Sequence, residues 1–298
     1  MQKNIKAHLA LFSVNLIYAL SYGFSKDVMA DYLPSFTFIL LRVLGATLLF
    51  WLLFFKTESI ARQDYLKLAI AGLFGVAANQ LMFFEGLHHT STINASIIMV
   101  STPILVLIFS AFLLKERISA KKIVGVFIGL AGAISLIVFK NQSSLGEASF
   151  YGDFLVFMNA SSYALYLVLV KPLMQKYSPF TVIKWVFTFG LLYVIPFGLS
   201  QIGQADFSMP FSAVLKVLFI VVFTTFLTYL LTMYALNKVM PTTVSAYVYL
   251  QPVLTTIFAI ILGYGKPSTI QFVSALAIFT GVYLVSFSSV KNKTAPLS

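Results

Sequence analysis

Residues 123–138 read IVGVFIGLAGAISLIV, an unbroken apolar run without a charged side chain. A strand of a transmembrane barrel alternates apolar and polar positions over about ten residues. This run is apolar on every face and has helix length, so it is expected to be a membrane-spanning α-helix. It lies within a segment at 120–139, and nine similar segments surround it: 7–25, 35–55, 66–87, 92–113, 152–171, 180–200, 213–236, 243–263 and 269–288. The expected fold class is an all-α integral membrane protein with ten transmembrane helices.

Composition agrees with that reading. Of the 298 residues 59% are hydrophobic and only 10% are charged, with a mean hydropathy of +0.93. A soluble domain carries about 25% charged residues, so this chain could not cover a water-facing surface. Spans of about 20 residues with short connections use up its length, which leaves no room for a soluble domain. The chain has no cysteine, which excludes disulfides, thiolate metal sites, iron–sulfur clusters and a cysteine nucleophile. His8, His88 and His89 form no ligand constellation with nearby acids, so no metal and no cofactor is expected.

The formal charge of +11 would suggest nucleic acid in a soluble protein, but the basic residues fall in short loops between apolar runs. Positive-inside topology accounts for them, and no nucleic-acid partner is expected. With a cytoplasmic amino terminus, fifteen of the twenty lysines and arginines lie on the inner side. Lys26, Lys140, Lys216 and Lys266 lie outside, and Arg42 is left within the second span. Both termini are therefore placed in the cytoplasm. Lys3 and Lys6 before the first segment resemble a signal peptide, but no small-x-small cleavage site follows, so the segment reads as a retained span.

An internal repeat organises the chain. A shift of 145 matches Tyr18-Ala19-Leu20 with Tyr163-Ala164-Leu165, Lys26 with Lys171 and Pro34 with Pro179. From the third span the shift becomes 149 and matches Leu66-Lys67 with Leu215-Lys216, Pro103 with Pro252, Ser119 with Ser268 and Gly132 with Gly281. The reading gives a first five-helix repeat at 1–140, a second at 150–290 and a cytoplasmic tail at 291–298. Five spans is an odd number, so the second copy enters the membrane from the opposite side. Inverted repeats of this kind are a transporter architecture.

The motifs resemble a known family. Tyr18 to Arg42, with Lys26, Pro34 and Arg42 at their spacings, resembles the first two spans of the bacterial EamA family of the drug/metabolite transporter (DMT) superfamily. Glu85-Gly86-Leu87, Thr90-Ser91, Asn94-Ala95, Thr102-Pro103, Leu114-Lys115-Glu116-Arg117 and Gly125, Gly129 and Gly132 resemble its third to fifth spans. Gly263-Tyr264-Gly265-Lys266-Pro267 departs from the pattern, since it lacks the acid of the family's leucine-glycine-glutamate segment. The resemblance implies ten helices, a central cavity lined by spans one to four and six to nine, and peripheral spans five and ten. Members of that family commonly export amino acids or other small metabolites, and the substrate varies among them.

Arg42 is the costliest residue, about 10 Å into its span at 1.5 Å per residue, where a central arginine costs about 3 kcal/mol. Three accounts stay open: snorkelling to the outer interface, a cavity-facing cation for a carboxylate or phosphate, and a structural ion pair. Glu85, near the outer end of the third span, reads as a solvated helix end or, beside Arg42 or Lys26 in a dry vestibule, as a proton carrier. Asn15, Tyr18, Tyr22 and Lys26 make one face of the first helix polar, and Asn159, Tyr163 and Tyr166 do the same on the sixth. Thr225, Thr228 and Thr232 follow on the eighth helix, and Tyr247, Gln251 and Thr255 on the ninth. Pro103 and Pro252 are expected to kink their spans. Gly125-x-x-x-Gly129 reads as helix packing, with dimerisation the minor option. Lys115-Glu116-Arg117 reads as a solvated loop.

The candidate substrate-binding residues are Asn15, Tyr18, Tyr22, Arg42, Asn79, Glu85, Asn94, Tyr163, Tyr166, Thr228, Tyr247 and Gln251, and no catalytic residue is assigned. The function read from these features is a secondary transporter, working as an exporter, of small metabolites such as amino acids across the bacterial inner membrane by alternating access. Its partners are a small-molecule substrate and membrane lipid; proton coupling and the choice between monomer and homodimer stay open. A drug or nucleobase carrier is the alternative. An ion channel would need a filter-like loop or charge ring, and an intramembrane enzyme a mid-span catalytic pair. Neither is visible in the sequence, and the chain is not expected to be an enzyme.

The topology is testable because the native chain has no cysteine. Ser143→Cys should react with an impermeant maleimide on intact cells, and Ser119→Cys and Ser289→Cys only after permeabilisation. Labelling of Ser119→Cys on intact cells would overturn the orientation.

Overall fold

The computed structural model describes residues 4–55, 58–90, 95, 98–140, 149–261 and 269–287, and contains no β-strand among them. The helices are α1 (Ile5–Asp31), α2 (Ser35–Leu53), α3 (65–89), α4 (Thr102–Leu113), α5 (Ala120–Lys140), α6 (Phe150–Lys176), α7 (Pro179–Ser200), α8 (211–238), α9 (241–261) and α10 (Thr269–Ser286). Among the described residues six stretches are long and apolar enough to cross a bilayer: Ser35–Leu53, Arg62–Leu87, Phe150–Lys176, Pro179–Ser200, Phe211–Lys238 and Thr269–Ser286. Ile5–Ser21 and Thr102–Leu113 are shorter apolar helices. The expected segments at 92–113 and 243–263 lie partly outside the described residues.

Hydrocarbon supplies no hydrogen-bond partner, so a spanning chain must satisfy its own backbone, as these helices do. Their outward faces are apolar: Phe150 is 87% exposed, Phe112 79% and Phe211 76%. A wet surface would not carry such a belt, whereas lipid covers it without cost. Inside, α2 packs on α7, α3 on α6, α1 on α8 and α9, and α5 along α10. The glycines expected to pack helices do so within the chain. A Cβ on Gly125 would come within 2.9 Å of the Gly281 carbonyl of α10, and one on Gly129 within 2.5 Å of the Tyr249 ring.

Two helices widen as they pass the centre. α3 contains a π-helical stretch at Leu73–Ala77 and α8 one at Ile220–Leu227. A π turn displaces carbonyls from the ordinary helical ladder, and hydroxyls collect them. Ser162 Oγ donates to Phe74 O at 2.7 Å, Tyr229 Oη to Gly75 O at 2.9 Å, and Thr225 Oγ1 to Ile220 O at 2.9 Å. Polar side chains of the core thus hold the backbone that surrounds them.

The two mid-span prolines break their helices rather than kink them. Pro103 stands in the first turn of α4, after a turn at residues 100–101, with Ser101 N donating to Ile98 O at 3.0 Å. α9 runs as Pro241–Ala246, a 3₁₀ turn at Tyr247–Tyr249, and a fresh α-helix at Leu250–Ile261 that holds Pro252 in its first turn. A proline in a first turn lacks only a donor that has no helical partner, so a new start is favoured over a bent continuation.

The loop expected to be solvated is half buried. Lys115 and Arg117 are exposed, but Glu116 and Lys122 have side chains only 5% and 7% exposed and form an ion pair at 2.5 Å. Thr242 Oγ1, at the start of α9, donates to Glu116 Oε1 at 2.9 Å, and Lys122 Nζ donates to Thr242 Oγ1 at 3.0 Å. Hydropathy could not show this, because the partner that covers the loop lies 126 residues away. Removing one member strands a buried charge, which costs about 3 kcal/mol or more. Glu116→Gln and Lys122→Met should therefore each lower the unfolding temperature of the detergent-purified protein clearly. The double variant should lose less than the sum, and additive losses would show that the pair contributes nothing by itself.

Candidate functional site

The polar stripes of α1 and α6 turn inward, with Asn15 and Asn159 buried, and Tyr163 lies within electrostatic reach of Tyr18. Tyr18 and Tyr163 each stand at the midpoint of a 27-residue helix. Thr228 Oγ1 lies 3.2 Å from Tyr18 Oη. The Tyr163 and Tyr166 rings are 6.2 Å apart, and Tyr166 and Tyr229 are 6.5 Å apart. Tyr166 is fully buried, with its hydroxyl 3.4 Å from Met233 Sδ. Gly75 in the π turn of α3 makes room for it, since a Cβ there would fall 2.3 Å from the Tyr166 ring.

Arg42 joins this cluster from α2. It is 8% exposed, and its Nε donates to Thr225 Oγ1 at 3.1 Å. Its guanidinium carbon lies 5.5 Å from the Phe38 ring centre and 5.7 Å from that of Phe84, within cation–π range. Among the described residues no carboxylate pairs with it. The structural ion pair considered from the sequence is therefore not the arrangement found.

Several amides here are buried and incompletely bonded. Asn15 Nδ2 donates to Leu11 O at 2.7 Å, while its Oδ1 has no partner. Asn159 Nδ2 donates to Asn79 O, and its Oδ1 is also unpaired. Both side-chain atoms of Gln80 are buried without a hydrogen bond, although the residue lies beside the Tyr229 hydroxyl. An unmet buried polar group costs about 1–3 kcal/mol, and such a group in a native interior calls for a reason. Asn15, Asn159 and Gln80 thus keep bonding capacity unspent in the interior.

Other candidates are placed elsewhere. Glu85 accompanies His89, 3.3 Å away, rather than Arg42, and both are exposed by more than a third. Glu85 also lines an apolar groove of about 540 Å3 between α2, α3, α6 and α7, with Phe36, Leu81, Met82, Leu192 and Phe197 among its walls. Tyr247 bonds to His8 Nδ1 at 2.8 Å, near the start of α1. At 1.5 Å per residue that is about 15 Å along α1 from Tyr18. Gln251 follows Tyr247 by one turn and is half-buried. Asn94 and the side chains of Tyr22 and Lys26 lie outside the described residues.

Gln80 and Tyr229 belong to the cluster but were absent from the sequence-based candidates. One signal could have found them: they are 149 positions apart, the same shift that aligns the later spans. The cluster holds no nucleophile paired with a base, and among the described residues no group of histidines and acids could hold a metal.

The model of the EamA-like transporter family matches the chain twice, at residues 5–138 and 150–287. An uncharacterized transporter of Archaeoglobus fulgidus is 28% identical over 95% of this chain and 98% of its own length. The uncharacterized transporter YyaM of Bacillus subtilis is 24% identical, covering 95% of this chain and 94% of its own. A crystal structure of a protein 19% identical in sequence shares the fold, with a TM-score of 0.78 over 95% of this chain and 97% of that one. With an apolar helical bundle, a buried polar cluster and a family match over both halves, the chain belongs to the EamA-like transporter family, membrane transporters of small molecules.

Proposed function

We propose that this protein is a secondary transporter, working as an exporter, that carries small metabolites such as amino acids across the bacterial inner membrane by alternating access. In this reading the chain forms two inverted five-helix repeats, 1–140 and 150–290, with both termini in the cytoplasm. The observation that carries it is the meeting of paired positions. Tyr18 and Tyr163, 145 apart, and Gln80 and Tyr229, 149 apart, come together around the middle of the bundle. An inverted repeat has its pseudo-twofold axis in the membrane plane, and a site on that axis stays fixed while the halves exchange conformations. The two family-model matches support the same division.

The lining suits an amphipathic solute. Tyrosine rings and aliphatic walls would take apolar surface, and Asn15, Asn79, Thr228 and Arg42 would orient the polar end, the usual make-up of a small-molecule site. Glu85, with His89 at the end where α3 finishes, is the group proposed to couple protons.

Purified protein in proteoliposomes loaded with an unlabelled amino-acid mixture should accumulate an external labelled amino acid by counterflow. Tyr163→Ala should change affinity or preference severalfold without loss of folded protein. Absence of counterflow for every amino acid and related amphipath tested would reject the reading. Glu85→Gln should slow net transport driven by a pH gradient while leaving counterflow exchange intact. Equal loss of both would remove Glu85 from coupling.

A further inference from the structure

The guanidinium of Arg42 spends one of its five N–H bonds on Thr225. Thr225 gives its own hydroxyl hydrogen to Ile220 O, so its oxygen toward Arg42 can only accept, and the plane of the guanidinium is set. The Phe38 and Phe84 rings, packed edge to face at 6.0 Å, flank it. The two terminal nitrogens make no hydrogen bond to the described residues. They form a fixed planar fork, the geometry that takes a carboxylate through two parallel bonds.

Gln80 supplies the second, independent observation. It is 5% exposed, it lies against the Tyr229 hydroxyl, and neither amide atom makes a hydrogen bond of good geometry. Its neighbour Tyr229 donates its hydrogen to Gly75 O, and Tyr229 in turn stands within electrostatic reach of Arg42. A cationic fork with unspent donors and a buried amide with spare bonding capacity therefore lie near the same tyrosine.

Resting on the proposal that the central cluster is the transport site, we infer that Arg42 and Gln80 form a subsite for a single carboxylate of the solute, with the tyrosine wall taking its apolar body. The charge count selects a monoanion. The position 145 residues after Arg42 is Phe187, whose ring packs on Tyr229 at 4.9 Å, so the second half brings no matching cation. A phosphate dianion would retain one uncompensated charge in an apolar surround. A solute with an amine and no acid would place its cation against Arg42.

The test uses the detergent-purified full chain, with thermal unfolding read by the fluorescence of Trp51 and Trp185. Two ligand series separate charge from shape: L-phenylalanine, 3-phenylpropionate, phenethylamine and phenyl phosphate; and L-leucine, 4-methylpentanoate and isoamylamine. The carboxylate-bearing members should raise the unfolding temperature of the wild type, while the amines should not. Arg42→Gln should weaken carboxylate binding by about tenfold or more, the scale of a charged hydrogen bond. Gln80→Leu, which removes no more than a loose contact with the Tyr229 hydroxyl, should fold and weaken carboxylate binding severalfold, and it decides the matter if Arg42→Gln does not fold.

The subsite is overturned if amines bind as tightly as carboxylates, if phenyl phosphate binds more tightly, if no carboxylate stabilises the wild type, or if the variants keep wild-type carboxylate affinity. The outcomes separate the two proposals. Carboxylate binding that needs Arg42, without counterflow in proteoliposomes, would sink the transport reading alone. Counterflow unchanged in Arg42→Gln would sink the subsite alone.

Discussion

A bilayer core accepts no hydrogen bonds, and almost every feature of this bundle follows from that. Side chains that meet lipid must be apolar, as Phe112 and Phe150 are, so polar groups are driven to the interior. There they compete for partners supplied by the protein itself. Arg42 is the extreme case: Thr225, two phenylalanine rings and the nearby tyrosines are its surroundings, supplied by α1, α2, α3 and α8. The location of the polar cluster is thus a consequence of exclusion from lipid as much as of attraction between its members.

The same constraint explains where the backbone departs from the α-helix. The π stretches of α3 and α8 and the breaks at Pro103 and Pro252 all leave carbonyls or amides outside the regular ladder. Facing lipid, those groups would be unmet. Facing the interior, they find Ser162, Thr225 and Tyr229. Irregular segments are also where a helix changes direction with least loss of hydrogen bonding, since the bonds given up belong to side chains that can pivot. The proposed alternation between two openings would use these places.

Charge is handled differently at the end of the bundle where α1 begins. Asp64, at the start of α3, takes Lys67 at 3.0 Å, Lys176 and the Tyr177 hydroxyl at 2.8 Å, and so ties α3 to the end of α6. Glu116, Lys122 and Thr242 tie the loop before α5 to the start of α9. Both clusters join segments more than a hundred residues apart, where low accessibility makes an unpaired charge expensive.

Hydropathy alone determined that the chain is an all-helical membrane protein, because exclusion from lipid acts on every residue of a span and leaves a record in local composition. The polar faces of α1, α6 and α8 were equally legible: Asn15, Asn159, Thr225 and Thr228 are all buried, as the cost of an amide or hydroxyl in lipid requires. What the sequence could not determine was choice of partner. Glu85 meets His89 and not Arg42, Tyr247 meets His8 about 15 Å from the tyrosine cluster along α1, and Glu116 is sealed by Thr242 instead of water. Gln80 and Tyr229 become neighbours only when α3 and α8 are brought together. Periodicity fixes which face of a helix turns inward, but depth and rotation relative to other helices are set by packing, as where Gly75 admits the ring of Tyr166. Those contacts join residues far apart in the chain, so only the tertiary structure could decide them.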